Sequence, residues 1–287
     1  MNIGRIHSGT LLAALASTMM LVACGEEAAL LDDVRPTGAL HLYVNGEERA
    51  RDGFTAKDGW SLTFEHVYIN LHGPTAVQVA VDEGAASAPL VPQHAGHPHP
   101  DIDDALAHVA LVGDHFVDLA AGDAPLRLGT LEAPIGNYNY INVDVVPADH
   151  DSQGLVDAFW GQSLVFMGTA VSDATELAFT LRFDEALVFT ECGPVEDDTG
   201  VVAEGDEGWV EFTFHLDHLF GDVKHAGTDE AGMNDDAVGF SPFADLADEG
   251  VVDLYQGDLE ASWDAETYDQ LLAMLSELGH AGEAHCR

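Results

Sequence analysis

Positive charge is what this chain lacks. Nine Lys and Arg stand against 51 Asp and Glu in 287 residues, a formal net charge of −42 with His neutral. Binding nucleic acid requires basic contacts to phosphates, so this composition excludes nucleic acid as a natural partner and disfavours anionic membrane surfaces. Cysteine is scarce, with only Cys24, Cys192 and Cys286. No serine-hydrolase elbow, phosphate loop, dinucleotide fingerprint or zinc-protease helix motif occurs. Carboxylates are so numerous that any pair chosen for acid/base work is arbitrary, and the chain reads as a non-enzyme. What is present is enough apolar sequence, 47%, to build a core. The acid excess favours solubility and concentrates cations around the molecule.

Residues 1–23 read as an export signal. Arg5 and His7 precede an apolar run, Leu11–Val22, that is too short to span a membrane. The run ends in Leu21-Val22-Ala23-Cys24, which resembles the lipobox of bacterial lipoproteins. That resemblance implies cleavage before Cys24 and acylation of its thiol and amine, with more than one acyl chain for stable anchoring. Gly25 in place of Asp implies the outer membrane, with the protein facing the periplasm or the cell surface. Cys192 and Cys286 then remain in an oxidising compartment, and a disulfide between them is the default reading. In the chain-entropy picture it contributes about 4–5 kcal/mol and pins the C-terminus to the body. The alternative is thiolate ligation of a metal by Cys286.

After a tether over 24–37, short extended segments divided by Gly, Pro and Asp predict a mainly β domain over 38–222, a β-sandwich or open barrel. The expected strands are Ala39–Val44, Trp60–His72, Ala76–Val81, Ala105–Leu119, Tyr138–Val146, Ser163–Val171, Glu176–Glu191 and Trp209–Leu216. Gly73-Pro74 and Gly136-Asn137 read as turns. Residues 223–287 form a loop and helix extension that completes the same domain. Within it Phe240–Glu260 suggests short helices. Asp264 is a predicted N-cap for a helix carrying Tyr268, Leu271, Leu272, Leu275 and Leu278 at helical spacing, with Gly279 as its C′ residue.

The residue types that can carry chemistry are the histidines. Val210, Phe212, Phe214 and Leu216 alternate with polar residues, which predicts a half-buried strand with His215 and Asp217 on its polar face and His218 at its end. His280 and His285 sit on a short glycine-containing loop at the C-terminus. Imidazoles from two segments with one carboxylate suit a transition metal, Zn²⁺ first and Cu²⁺ as the alternative. Asp217 is expected as a ligand or as the hydrogen-bond partner of a ligand. His94, His97 and His99, in a Pro/Gly-rich loop followed by Asp101, Asp103 and Asp104, form an accessory candidate for metal capture. His225 and His66 are further histidines without an assigned place. Two acidic stretches, Gly227–Gly239 and Ala247–Leu259, fall short of a calcium loop, so Ca²⁺ is not expected.

The order GWSLTFEHVYINLHG, SLVFMGTA, FTLRFD, Cys192, H-x-D-H-L-F at His215–Phe220, and a terminal G-H-x-G-x-x-H-C resembles a group of uncharacterised secreted lipoproteins from myxobacteria and related Gram-negative bacteria. The resemblance covers most of the mature chain and brings no known activity with it. A weaker similarity of strand pattern runs to periplasmic copper-binding lipoproteins, whose ligand motifs are not matched. The expectation is therefore a membrane-anchored lipoprotein that binds a transition metal for scavenging, storage or delivery, with a metal-transport protein as possible partner. The alternatives are a structural or adhesive lipoprotein and a metal-dependent hydrolase.

Overall fold

The computed structural model describes residues 36–79, 106–173, 175–194, 199–228, 231–282 and 284–286. Cys24 and the His94, His97 and His99 loop lie outside these residues. The chain begins with β1 (Thr37–Asn45), α1 (Glu47–Asp52), β2 (Phe54–Thr55) and the long β3 (Ser61–Gln78). It continues through β4 (Ala107–Ala110), β5 (Asp114–Asp118), β6 (Leu126–Pro134), β7 (Gly136–Asn137), β8 (Tyr140–Val145), β9 (Leu164–Ser172), β10 (Thr175–Phe183) and β11 (Leu187–Cys192). After β12 (Val201–Val202) and β13 (Glu207–Phe214) come α2 (Asp217–Phe220), α3 (Ala231–Asp236), α4 (Ser241–Ala244) and β14 (Val251–Tyr255). Helices α5 (Gln256–Ser262) and α6 (Ala265–Ser276) lead to a terminal hairpin, β15 (Gly279–Ala281) and β16 (Ala284–His285).

The architecture is mainly β, as the spacing of apolar runs predicts. One sheet has the order β16-β15-β13-β1-β6, and a larger one runs β11-β8-β3-β9-β10-β14 with β2, β4 and β5 also paired to β3. Most neighbours are antiparallel; β1 with β13 and β10 with β14 are parallel. Strand β3 works as a spine because register shifts at Phe64/His66 and His72/Thr75 bend it. Its first half pairs with β9 and its second with β8. The two sheets close on one continuous apolar core, with Phe189 of β11 against Phe212 and Phe214 of β13.

Several local expectations are corrected. Gly73-Pro74 is no turn: it lies within β3, where the register shifts, so the two strands expected there are one. Gly136-Asn137 forms β7 and pairs with β12 instead of turning. The span Ala105–Leu119 divides at Gly113, whose φ of +94° favours glycine, and Glu176–Glu191 divides into β10 and β11. Strand β6 was not anticipated, because its alternation is interrupted by Gly129 and Pro134. Within Phe240–Glu260, Val251–Tyr255 is a strand, since a β-branched pair and Leu254 find a parallel partner in β10.

The C-terminal helix packs as its apolar stripe demands. Asp264 accepts hydrogen bonds from the amides of Glu266 and Thr267, each 3.1 Å, and Leu271, Leu275 and Leu278 are fully buried. Gly279, however, belongs to β15 rather than to a helix cap. A side chain there would meet the Phe189 ring at 2.3 Å, so glycine lets the terminal hairpin lie flat on β11 and β13. Cys192 and Cys286, with sulfurs 2.08 Å apart, form the disulfide that closes the same corner.

Candidate metal centre

The centre is built by sheet register. Thr213 pairs with His280, and His280 pairs with His285 across the terminal hairpin. Side chains two residues apart on a strand share a face, so His215 falls beside His280 on the face that carries Thr213. The two imidazoles stack with ring centroids 4.1 Å apart and planes 16° from parallel. The ladder continues one step further through the His215 amide, which donates to the Leu278 carbonyl at 2.9 Å.

Strand β13 ends at Phe214, earlier than its pattern predicts, because Leu216 already has helical dihedrals (φ −66°, ψ −20°). His215 and Asp217 therefore do not share a strand face. Instead the single turn of α2 folds back, the His218 amide donating to the His215 carbonyl at 3.2 Å. This brings the His218 ring to 4.8 Å from that of His280 and 5.3 Å from that of His285. His215, His218 and His280 are all buried, at 8%, 5% and 2% exposure. One nitrogen from each lies within 4.8 Å of the others, a group that could hold a metal ion. Tetrahedral ligation with bonds of ~2.0–2.1 Å separates ligand atoms by about 3.4 Å, so binding shortens the nitrogen–nitrogen separations by at most about 1.4 Å.

His285 completes a quartet of rings, its centroid 4.1 Å from that of His280. It sits at the rim, half-exposed, and its Nδ1 lies 3.9 Å from Glu277. The terminal segment is thus a paired hairpin, not the loop expected from Gly282.

Asp217 supports the centre from behind. Its Oδ2 accepts from His225 Nε2 at 2.7 Å and from Arg49 at 3.1 Å. Arg49 also reaches Asp222 at 3.4 Å and Glu47 at 3.6 Å. His225, unassigned from the sequence, is the residue that engages Asp217, while His66 lies elsewhere, bonded to Asp118 at 2.7 Å. Asp222 and His225 are the only signals that the sequence offers for this network, and the part of α1 carrying Glu47 and Arg49 offers none. The two acidic stretches tested for calcium serve other ends. Asn234 bonds the backbone of Asp222, and Asp258 accepts from the Tyr255 amide at 2.9 Å.

Burial keeps His218 and His280 neutral, the form that ligates a metal. Burial pushes His218 down to about 4, aided by His215, His285 and Arg49 against the opposing pull of Asp217. Burial and the neighbouring His215, His285 and His218 lower His280 as well. Burial alone would raise Asp217, but Arg49, the His225 hydrogen bond, His215 and His218 outweigh it and hold the carboxyl below its usual range. His218 Nε2 and Asp217 Oδ1 have no hydrogen-bond partner among the described residues, and the His280 ring has at most a weak contact with the Glu277 carbonyl, too poorly aligned to count as a full hydrogen bond. Orphaned buried polar atoms are costly, about 1–3 kcal/mol each, and a shared cation would satisfy one nitrogen of each ring.

The shifts fix a direction for the metal-free protein. Histidines with lowered folded pKa bind protons more readily when unfolded, so stability is full above the unfolded value near 6.5 and declines as pH falls below it. For His218 the decline continues to about 4 and is on the order of 3 kcal/mol. Asp217, also lowered, adds to the loss at still lower pH. Urea unfolding of metal-free protein should therefore show a steady drop in stability from pH 7 to 4, reduced in His218→Gln. A flat profile would contradict buried neutral imidazoles.

The chain matches no family model, no curated protein and no solved structure, so the reading of the centre rests on its own residues.

Proposed function

We propose that this chain is an outer-membrane lipoprotein that binds Zn²⁺, with Cu²⁺ as the alternative, through His215, His218 and His280 for scavenging, storage or delivery. The observation that carries the reading is three buried imidazoles whose ligand atoms lie within 4.8 Å of one another. Side chains that served only packing would have hydrogen-bond partners, as buried polar groups do. His218 Nε2 instead has none among the described residues, and His280 has no well-formed one beyond a weak contact with the Glu277 carbonyl. The surface supports the same reading, because a net charge of −42 raises the local concentration of cations. Asp217 orients the centre from the second layer, held by Arg49 and His225. His285, at the rim, is placed to pass an ion between solvent or a metal-transport partner and the buried nitrogens.

The anchor belongs to the same proposal: the Leu21–Cys24 lipobox supports acylation of Cys24. Among the described residues no helix is long and apolar enough to cross a membrane. Cys24→Ser should move the protein from the membrane fraction to the soluble one; a variant that sediments with membranes as the parent does would remove the lipid anchor from the account.

Metal binding should stabilise the fold, by about 4 kcal/mol at a thousandfold excess over Kd. Calorimetry with and without Zn²⁺ should show this as a rise in Tm that the His215→Ala/His280→Ala protein lacks. If the double variant gains the same rise as the parent, the cluster is not the binding site.

A further inference from the structure

Resting on the metal reading of the histidine centre, we infer that Glu47 is the carboxylate ligand that completes it, and that the resulting three-imidazole, one-carboxylate set selects a divalent ion over monovalent copper. The sheet places Glu47 there. Strands β1 and β13 run parallel with Asn45 opposite Thr213, so two residues on, Glu47 comes alongside His215. Asn45, Thr213, His280 and His285 form one row across the sheet, and Glu47 and His215 lie just past the ends of β1 and β13.

The contact has the spacing of shared ligation. Glu47 Oε1 lies 3.6 Å from His215 Nε2. That is longer than an ordinary N–H···O hydrogen bond of ~2.7–3.2 Å, and close to the ~3.4 Å edge of a tetrahedron of ligands with ~2.0–2.1 Å bonds. The other carboxylate oxygen, Oε2, is 3.6 Å from Arg49, which leaves Oε1 turned toward the imidazole.

The backbone is held for this purpose against its preference. Glu47 has φ +57°, in the left-handed region that disfavours any residue with a Cβ. Its amide is tied down by Asn45 Oδ1 at 2.8 Å, and Arg51 grips the same oxygen at 2.7 Å. Asp173, Glu191 and Glu249 also have positive φ, so the strain bears on the centre only together with the contact of Glu47 to His215. Asp217 is the other acidic candidate: His225 and Arg49 both engage its Oδ2, and its Oδ1 is without a partner among the described residues, but Glu47 is the carboxylate that closes to 3.6 Å on a ring nitrogen of the centre. His285 is the other candidate for the fourth position, and its Nδ1 turns toward Glu277.

Glu47 also faces solvent. It lines a polar cleft of 580 Å³ with Glu48, Arg49, Arg51, Asp52 and Lys224, while its Oε1 lies 3.6 Å from His215 Nε2. An anionic oxygen ligand suits Zn²⁺ and Cu²⁺, whereas monovalent copper favours soft sulfur donors and gains little from it.

The test compares the full chain with Glu47→Gln and His285→Ala, using chelator competition for Zn²⁺ and, under ascorbate, for Cu⁺. The visible spectrum of the Co²⁺-loaded proteins is recorded alongside. Glu47→Gln should weaken Zn²⁺ binding about tenfold or more and shift the Co²⁺ bands, while Cu⁺ affinity stays within about threefold. His285→Ala should cost less than Glu47→Gln. Glu47→Gly should raise the Tm of metal-free protein by about 2–4 °C, because glycine accepts the left-handed backbone, and should still bind Zn²⁺ weakly. Parent-like Zn²⁺ affinity and Co²⁺ spectrum in Glu47→Gln would overturn the role of Glu47 while leaving the histidine centre in place. A parent protein that binds no Zn²⁺ would overturn both.

Discussion

The structure turns on the pairing of the last few residues with β13. Two register pairs, Thr213 with His280 and Phe214 with Gly279, carry the terminal hairpin onto the sheet. Everything that makes that corner unusual follows from them. His280 is brought against His215, the His285 strand is brought against His280, and the turn of α2 drops His218 onto the group. The pairing itself depends on close approach: Gly279 leaves room for the Phe189 ring, and the Cys192–Cys286 bond ties the hairpin to the end of β11. Helix α6 sets the approach from the other side, its Leu275 and Leu278 buried immediately before the hairpin begins.

Two opposed demands meet in this corner. Burial on both faces at the end of β13 protects the ladder but penalises charge, so His218 and His280 are held neutral. The same burial leaves nitrogen atoms without the hydrogen bonds that interiors ordinarily supply. A bound cation resolves both demands at once, since neutral imidazole is the ligating form. The Arg49, Asp217 and His225 network lies just behind and keeps a buried carboxylate ionised without spending it on the metal. The strained Glu47 stands between His215 and a polar surface cleft.

Much of this was legible in the sequence, and for identifiable reasons. Alternation at Val210–Phe214, the Asp264 cap, the Leu271/Leu275 stripe and the two-cysteine arithmetic are local signals, and the structure places those residues as they predict. The histidines could be nominated because imidazoles are rare enough to count. Asp217 reads as a strand neighbour of His215 and is not one, since periodicity does not announce that a strand stops two residues early. Glu47 was invisible because it reaches the site through a parallel pairing between strands more than 150 residues apart. Among 51 acidic residues no composition argument could have singled it out. His225 was noticed but not placed, because its partner Asp217 faces it only after α2 has formed.

The central claim is that buried imidazoles hold a metal, and X-ray absorption at the zinc and copper edges reads this directly. The sample is protein purified without an affinity His tag and analysed for metal content as isolated. The account predicts near-stoichiometric metal with about three imidazole nitrogens at ~2.0–2.1 Å and the multiple-scattering signature of histidine rings. A metal shell of oxygen alone, or protein that neither contains nor takes up metal, would contradict it.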